Sequence, residues 1–168
     1  FFQLSFKEAF EAASARRWSL APGDDADRQA LAAFNQKSAL LRDAALLTDL
    51  RGTVLNANRS GPLPEMTDPA FTPMRSALLA GKPGLSGVLT TDAGPMVAIA
   101  VPVMEGTTPK AVFIGLFRPE TSPLQSYVET LDTGMTPLVT DSTGTIVVHG
   151  QRDQIGGRIT DTRFRRQL

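Results

Sequence analysis

The nine residues Leu47-Thr48-Asp49-Leu50-Arg51-Gly52-Thr53-Val54-Leu55 align without a gap with Val139-Thr140-Asp141-Ser142-Thr143-Gly144-Thr145-Ile146-Val147. Threonine, aspartate, glycine and threonine coincide, and two aliphatic residues follow in each copy. An aspartate at this position of a corner accepts backbone N–H groups two residues on, and glycine supplies a positive φ. Each copy therefore reads as a tight turn joining two antiparallel strands. Asp-x-x-Gly alone is a common turn. Here the flanking residues also match, and a helical stretch precedes both copies, which marks a duplicated structural unit.

The remaining pattern is α+β. Residues 3–20 have Leu4, Phe6, Phe10 and Ala13 near helical spacing, and Ala21-Pro22-Gly23 interrupts them. Asp24 or Asp25 can cap a second helix of about 18 residues, whose apolar face carries Leu31, Phe34, Ser38 and Leu41. After Asp43 the period shortens, and strands are expected on both sides of the first corner. Thr72 and Pro73 suit the start of a short helix carrying Met74 and Leu78, with a stop at Gly81. Leu85–Thr91, Met96–Val103 and Ala111–Phe117 read as strands, the first two joined at Asp92-Ala93-Gly94-Pro95. Ser122-Pro123 opens a third helical stretch with Leu124, Tyr127, Val128 and Leu131 on its buried face and Gly134 as its stop. Strands at Pro137–Thr140 and Thr145–Val148 enclose the second corner.

Composition excludes several function classes. Seventeen basic and seventeen acidic residues cancel, whereas a nucleic-acid binder would carry a basic excess. With no cysteine and one histidine, thiol catalysis and structural zinc sites are excluded, and no cofactor is implied. No apolar run reaches the ~18 residues of a membrane span. The chain opens on Phe1-Phe2-Gln3-Leu4 and stops at Arg165-Arg166-Gln167-Leu168 without a cap or turn signal, as a piece of something longer would. His149 is the one possible imidazole base, and no Gly-x-Ser-x-Gly elbow presents a nucleophile, so an enzyme is not expected. Asp24, Asp25 and Asp27 lack the spacing of a calcium loop and suit a helix cap instead. Gly81-Lys82-Pro83-Gly84 lacks the phosphate-loop spacing and reads as a helix stop.

Beyond the second corner the chain runs through His149 and a short polar loop to Ile155-Gly156. This order, with the strand Ala98–Val103 and the glycine-bearing strand Val112-Phe113-Ile114-Gly115-Leu116, resembles the Cache family of extracytoplasmic sensor domains over roughly residues 25–159. The resemblance implies long N-terminal helices, a membrane-distal antiparallel sheet unit with a PAS-like fold, and the start of a second such unit. The corresponding boundaries are 1–43 for the helical segment, 44–120 for the distal unit, 121–135 for a connecting helix and 136–168 for a partial proximal unit. If residues 136–168 pack back onto the first sheet, the domain is instead single. The resemblance further implies a periplasmic small-molecule sensor of a bacterial membrane receptor, dimerised through the N-terminal helices. The output module would be a histidine kinase, a diguanylate cyclase or a chemoreceptor. The alternatives are a structural or protein-interaction module of the same fold with a filled pocket, and a cytosolic PAS domain.

In a PAS-like unit the pocket lies between the inserted helix and the sheet. Phe71, Met74 and Arg75 are expected there from the helix. Strand alternation allows either Ser86, Val88 and Thr90 or Leu85, Gly87 and Leu89 on the inner face. The first set adds polar groups and is preferred, together with Val97, Ile99, Val101 and Phe113 from the next strands. Arg75 is the expected clamp for a carboxylate ligand. The amino-acid-binding members of the family carry an arginine followed closely by tryptophan and tyrosine. Here Arg75 is followed by Ser76, Ala77 and Leu78, so amino-acid specificity does not carry over.

Overall fold

A computed structural model describes residues 2–59, 63–64, 66–131 and 137–159 of the chain. Its centre is a long hairpin. Strand β5 (Gly94–Glu105) turns at Gly106, where φ is 62°, into β6 (Thr108–Phe117). Both are built from β-branched and small apolar residues that suit a covered pleated surface. β1 (Ala44–Thr48) pairs antiparallel with β6, and β2 (Val54–Ala57) pairs antiparallel with β1 across the first corner. β3 (Gly84–Leu85) and β4 (Leu89–Thr91) both pair with β5. The resulting sheet has the order β2-β1-β6-β5-β3 with β4 alongside β5. Leu85–Thr91, expected as one strand, is thus two short strands separated by Ser86-Gly87-Val88.

Both faces of this sheet are covered, so its strands show no alternation of buried and exposed residues. Alternate side chains enter two separate cores. Ala45, Leu47, Val97, Ile99, Val101, Phe113 and Phe117 face the first core, which lies under helices α1 (Phe2–Ser14), α2 (Asp25–Lys37) and α4 (Pro123–Thr130). Ala44, Leu46, Met96, Ala98, Ala100, Val112, Ile114 and Leu116 face the second core, under helix α3 (Thr72–Leu79).

The helices follow the capping expectations in part. The Asp24 side chain accepts the Asp27 amide at 2.9 Å and caps α2, and the Ser122 hydroxyl caps α4 by accepting the Gln125 amide at 3.2 Å. Helix α3 differs from expectation: Thr72 makes no capping bond, and a short 3₁₀ turn (Pro69–Phe71) precedes the helix. Asp68 caps that turn by accepting the Ala70 amide at 2.8 Å. Helix α1 stops at Ser14, short of residue 20, and buries Ala13 as expected, with Ser5 and Ala9 in place of Leu4 and Phe10. Small side chains let α1 lie directly on β5, and Leu4 and Phe10 are left more than half exposed, at 55% and 53%. On α4, Tyr127 likewise points outward, and Gln125 takes the buried position.

The second corner joins β7 (Leu138–Thr140) to β8 (Ile146–His149) in a separate two-stranded sheet. Val147 and Val148 nevertheless enter the first core beside Leu124 and Val128 of α4. Gln125 fixes this hairpin to α4 by donating to the His149 carbonyl at 2.7 Å. His149 closes a local turn, its Nδ1 accepting the Gln151 amide at 3.0 Å. Gly134 lies outside the described residues.

Arg152 adds a bidentate clamp, with Nε and Nη2 donating to the two oxygens of Glu129 at 2.7 and 3.0 Å. That clamp, with a further bond from Gln125, lowers the Glu129 pKa to about 2. The folded value lies below the ordinary carboxylate value of 4.5, so the clamp stabilises the fold above that pH and is lost as pH falls from there through about 2. A carbon-13 titration should therefore place the Glu129 midpoint near 2, and Arg152→Ala should move it back toward 4.5. A Glu129 midpoint that Arg152→Ala leaves in place would remove the clamp as its cause.

Candidate ligand-binding site

The first corner and α3 together enclose a cavity of about 290 Å³. The corner is rigid for a local reason. Asp49 Oδ1 accepts the amides of Arg51 at 2.9 Å and Thr53 at 2.8 Å, while the Asp49 amide donates to the Thr53 carbonyl at 2.9 Å. Gly52 completes the turn with φ at 92°. Burial opposes ionisation of Asp49, but the hydrogen bonds from Thr53 and Arg51 outweigh it and lower its pKa. Asp49 is thus a fixed negative charge at the wall of the cavity.

The floor is apolar. Val112 and Ile114 come from β6, Met74 and Leu78 from the inner face of α3, and Met66 from the segment before it. Helix α3 sits close to the sheet because Gly84 lies beneath it: a Cβ there would fall 2.9 Å from the Met74 backbone. Arg51 and Arg75 line the same cavity, and neither forms an ion pair among the described residues. Exposed Leu50 and Leu79 complete its lining. Two guanidinium groups and one carboxylate give the site a net positive charge. It can hold a small molecule with an apolar body and an anionic end.

The sheet divides the ten residues expected from sequence. Met74 and Arg75 line the cavity. Phe71 is fully buried in the core on that same side. Ser86 is buried, but its hydroxyl is committed to backbone, accepting from the Ala98 amide at 2.8 Å and donating to the Gly87 carbonyl at 2.7 Å. Thr90 is exposed and borders a different concavity with Asp68 and Asp92. Val88, Val97, Ile99, Val101 and Phe113 pack into the core on the opposite face, under α1 and α2. The expected inner face of β5 and β6 was displaced by one residue, and with a period of two that reverses every side chain. The cavity-side residues are instead Val112 and Ile114, with Asp49 and Arg51 from the corner. The repeat marks the corner in the sequence as a turn, and the cavity adds Asp49 and Arg51 to that role as lining residues.

A wider groove of about 490 Å³ runs between α1 and α2, lined by Ala12, Ala15, Ala33 and Phe34, and it opens more broadly to solvent. No group of three or more metal-ligating side chains occurs among the described residues. No helix among them is long and apolar enough to cross a membrane.

No protein-family model matches the chain, and no curated protein does. Solved structures do. The ligand-binding domain of the Pseudomonas aeruginosa amino acid chemoreceptor PctB, in complex with L-Arg, is 21% identical with a TM-score of 0.62, covering 95% of this chain and 68% of that domain. The corresponding domain of PctC, in complex with GABA, gives a TM-score of 0.65 at 20% identity, over 94% of this chain and 71% of that one. These are Cache-type sensor domains. The chain has the Cache fold. The domain of the Pseudomonas fluorescens chemoreceptor CtaA in complex with L-serine agrees, with a TM-score of 0.63 at 18% identity over 94% of this chain and 67% of that one. The chain thus spans about two thirds of the Cache domains that it matches. Within the Cache fold, the cavity lies where the helical insertion between β2 and β3 covers the sheet.

Proposed function

We propose that this chain is the extracytoplasmic small-molecule sensing domain of a bacterial transmembrane signalling receptor and that it binds a small carboxylate in the cavity at the first corner. The observation that carries this reading is Arg75, without an ion-pair partner among the described residues, beside a cavity of about 290 Å³ with an apolar floor. That volume lies at the lower edge of the roughly 300–1,000 Å³ typical of ligand sites, so the ligand is small. The matched Cache domains were solved with L-Arg, L-serine and GABA, each of which carries a carboxylate and an amino group. Arg75 and Arg51 supply the complement to the first group, and Asp49 supplies one to the second. Binding shifts the population of two arrangements of the domain, and segments beyond this chain carry the shift to an output module.

The same reading divides the chain into a helical segment over 1–43, the distal sensing unit over 44–120, a connecting helix over 121–135 and part of a proximal unit over 136–168. It places the domain on the periplasmic side of the inner membrane. It also pairs two copies through their N-terminal helices, where exposed Leu4 and Phe10 supply an apolar surface.

A thermal-shift screen with small carboxylates, amino acids included, tests the site. At least one compound should raise the melting temperature, and Arg75→Ala should weaken its binding at least about tenfold by removing a charge-assisted contact. Because Arg75 is exposed, the unliganded variant should keep its stability to within about 0.5 kcal/mol. A screen without response, or a response that Arg75→Ala leaves intact, would refute the assignment.

A further inference from the structure

The two corners are built alike but their aspartates are used differently. Asp141 Oδ1 accepts the amides of Thr143 at 2.8 Å and Thr145 at 2.9 Å, repeating the Asp49 arrangement atom for atom. Its other oxygen, Oδ2, leaves the corner and accepts the Val88 amide at 3.2 Å, across 53 residues of sequence. Val88 belongs to the three-residue segment between β3 and β4. The neighbouring Gly87 amide donates in the opposite direction, to the Ala70 carbonyl at 2.7 Å. Ala70 sits in the 3₁₀ turn that leads straight into α3, the helix bearing Met74, Arg75 and Leu78 of the cavity.

Residue 87 has no room for a side chain. A Cβ there would lie 2.9 Å from Asp141 Oδ2 and 3.5 Å from the Ala70 Cβ. The segment is therefore pressed between the cavity's helical wall and the second hairpin. Ser86 anchors it to β5 through two bonds with Ala98, its amide donating at 2.9 Å and its hydroxyl accepting at 2.8 Å. The hairpin on the far side is in turn fixed to α4 through Gln125 and Glu129.

We propose that Ser86-Gly87-Val88 is a mechanical link, in which a shift of α3 at the cavity passes through Ala70 and Gly87 to Val88, and through Asp141 to the β7–β8 hairpin. This rests on the reading of the cavity as the sensing site and gives that site an exit toward the C-terminal part of the chain. Asp141 is a positioning residue: it touches no ligand and acts through the hairpin that it holds. A carboxylate suits the role because one oxygen holds the turn while the other reaches outward.

Asp141→Asn separates these two jobs. Its amide oxygen still serves the amides of Thr143 and Thr145, and its NH₂ group then faces the Val88 N–H, donor against donor. The reverse orientation would sacrifice two bonds to keep one. Exchange protection of the Val88 amide, measured by NMR on the full chain, should fall at least about tenfold in Asp141→Asn, as expected for loss of a bond to a charged acceptor. Thr143→Ala, which removes a different bond to Asp141 (Oγ1 to Oδ1, 2.8 Å), should leave Val88 protected. A second arm displaces α3 without any ligand. Leu78→Trp enlarges the helical wall of the cavity and should move the amide resonances of Thr143, Gly144 and Thr145. The same substitution in the Asp141→Asn background should leave those resonances where Asp141→Asn alone puts them. Undiminished Val88 protection in Asp141→Asn, hairpin shifts that survive it, or hairpin shifts that never arise would each overturn the link. Neither arm uses a ligand, so a failed carboxylate screen and a failed link are separate results.

Discussion

Replacing Phe113 with alanine is expected to destabilise the fold by about 4 kcal/mol, the range for a buried phenylalanine truncated to alanine. The side chain is wholly buried, paired in register between Leu47 of β1 and Val101 of β5. The Phe34 ring meets it edge-on at 4.9 Å between centroids, and the Trp18 indole lies tilted at 5.8 Å. Phe113 is thus the point where α2, the connector after α1 and the central strands meet. Truncation removes its area from the core and strips two aromatic partners of their contact, and small residues nearby offer little to collapse into the void. For a chain of this size the loss corresponds to a fall in melting temperature of roughly 10 °C. The second half of the expectation concerns binding. Phe113 faces away from the cavity, so the variant, at a temperature where it remains folded, should bind a cavity ligand within about twofold of the parent. A loss below about 1 kcal/mol would show that the core repacks. A collapse of binding in folded protein would place the ligand under α1 and α2 instead.

That experiment bears on the point where the sequence is least informative. The corners, the caps at Asp24 and Ser122, and the long β5–β6 hairpin are legible because each depends on local chemistry: an aspartate two residues from a free amide, a hydroxyl before a proline, a glycine where φ is positive. The face of a strand is not local. β5 is apolar from Met96 to Val103 because helices cover both sides of its sheet, so no polar residue marks either face. Ser86 and Thr90, the polar residues that favour one face in the sequence, both lie away from the cavity lining. Ser86 spends its hydroxyl on backbone in the gap between two short strands, and Thr90 stands in solvent. In helix α1 likewise, helical spacing selects Leu4, Phe6, Phe10 and Ala13, and of these only Ala13 is buried, because close approach to β5 favours the small residues Ser5, Ala9 and Ala13. Arg75 follows Met74 on α3, a short helix legible from Thr72-Pro73 and the stop at Gly81, and that helix sets Arg75 at the cavity. Asp49 reads as a turn residue, and its Oδ1 does hold the turn; that it also borders the cavity follows from the packing of α3, which is not local.

The largest electrostatic effect should come from the connector between α1 and α2. Asp27 is fully buried, and its charge is met by Arg16 Nη2 at 3.1 Å and by the Ser19 amide at 3.2–3.4 Å. Arg16 is held in turn by the Ala26 carbonyl at 2.9 Å and by the Trp18 ring, 5.1 Å below its guanidinium. Between these groups Leu20 adopts a positive φ of 59°, a strained conformation that the surrounding contacts must hold in place. Arg16→Ala leaves a carboxylate in the protein interior with one weak donor. It should cost about 3 kcal/mol, the lower part of the range for breaking a buried pair, because Arg16 is itself about one-third exposed and water can enter behind it. Asp27→Asn removes the charge but keeps an acceptor for Ser19, so it should cost less, about 1–2 kcal/mol. The order of stabilities in the double variant is the decisive feature. If the penalty in Arg16→Ala is an uncompensated buried charge, adding Asp27→Asn removes that charge, and the double variant must be more stable than Arg16→Ala alone. If the penalty is lost packing of the Arg16 stem against Trp18, the second substitution can only lower stability further. Urea unfolding of the four proteins separates these cases, and a double variant less stable than Arg16→Ala would assign the role of Arg16 to packing.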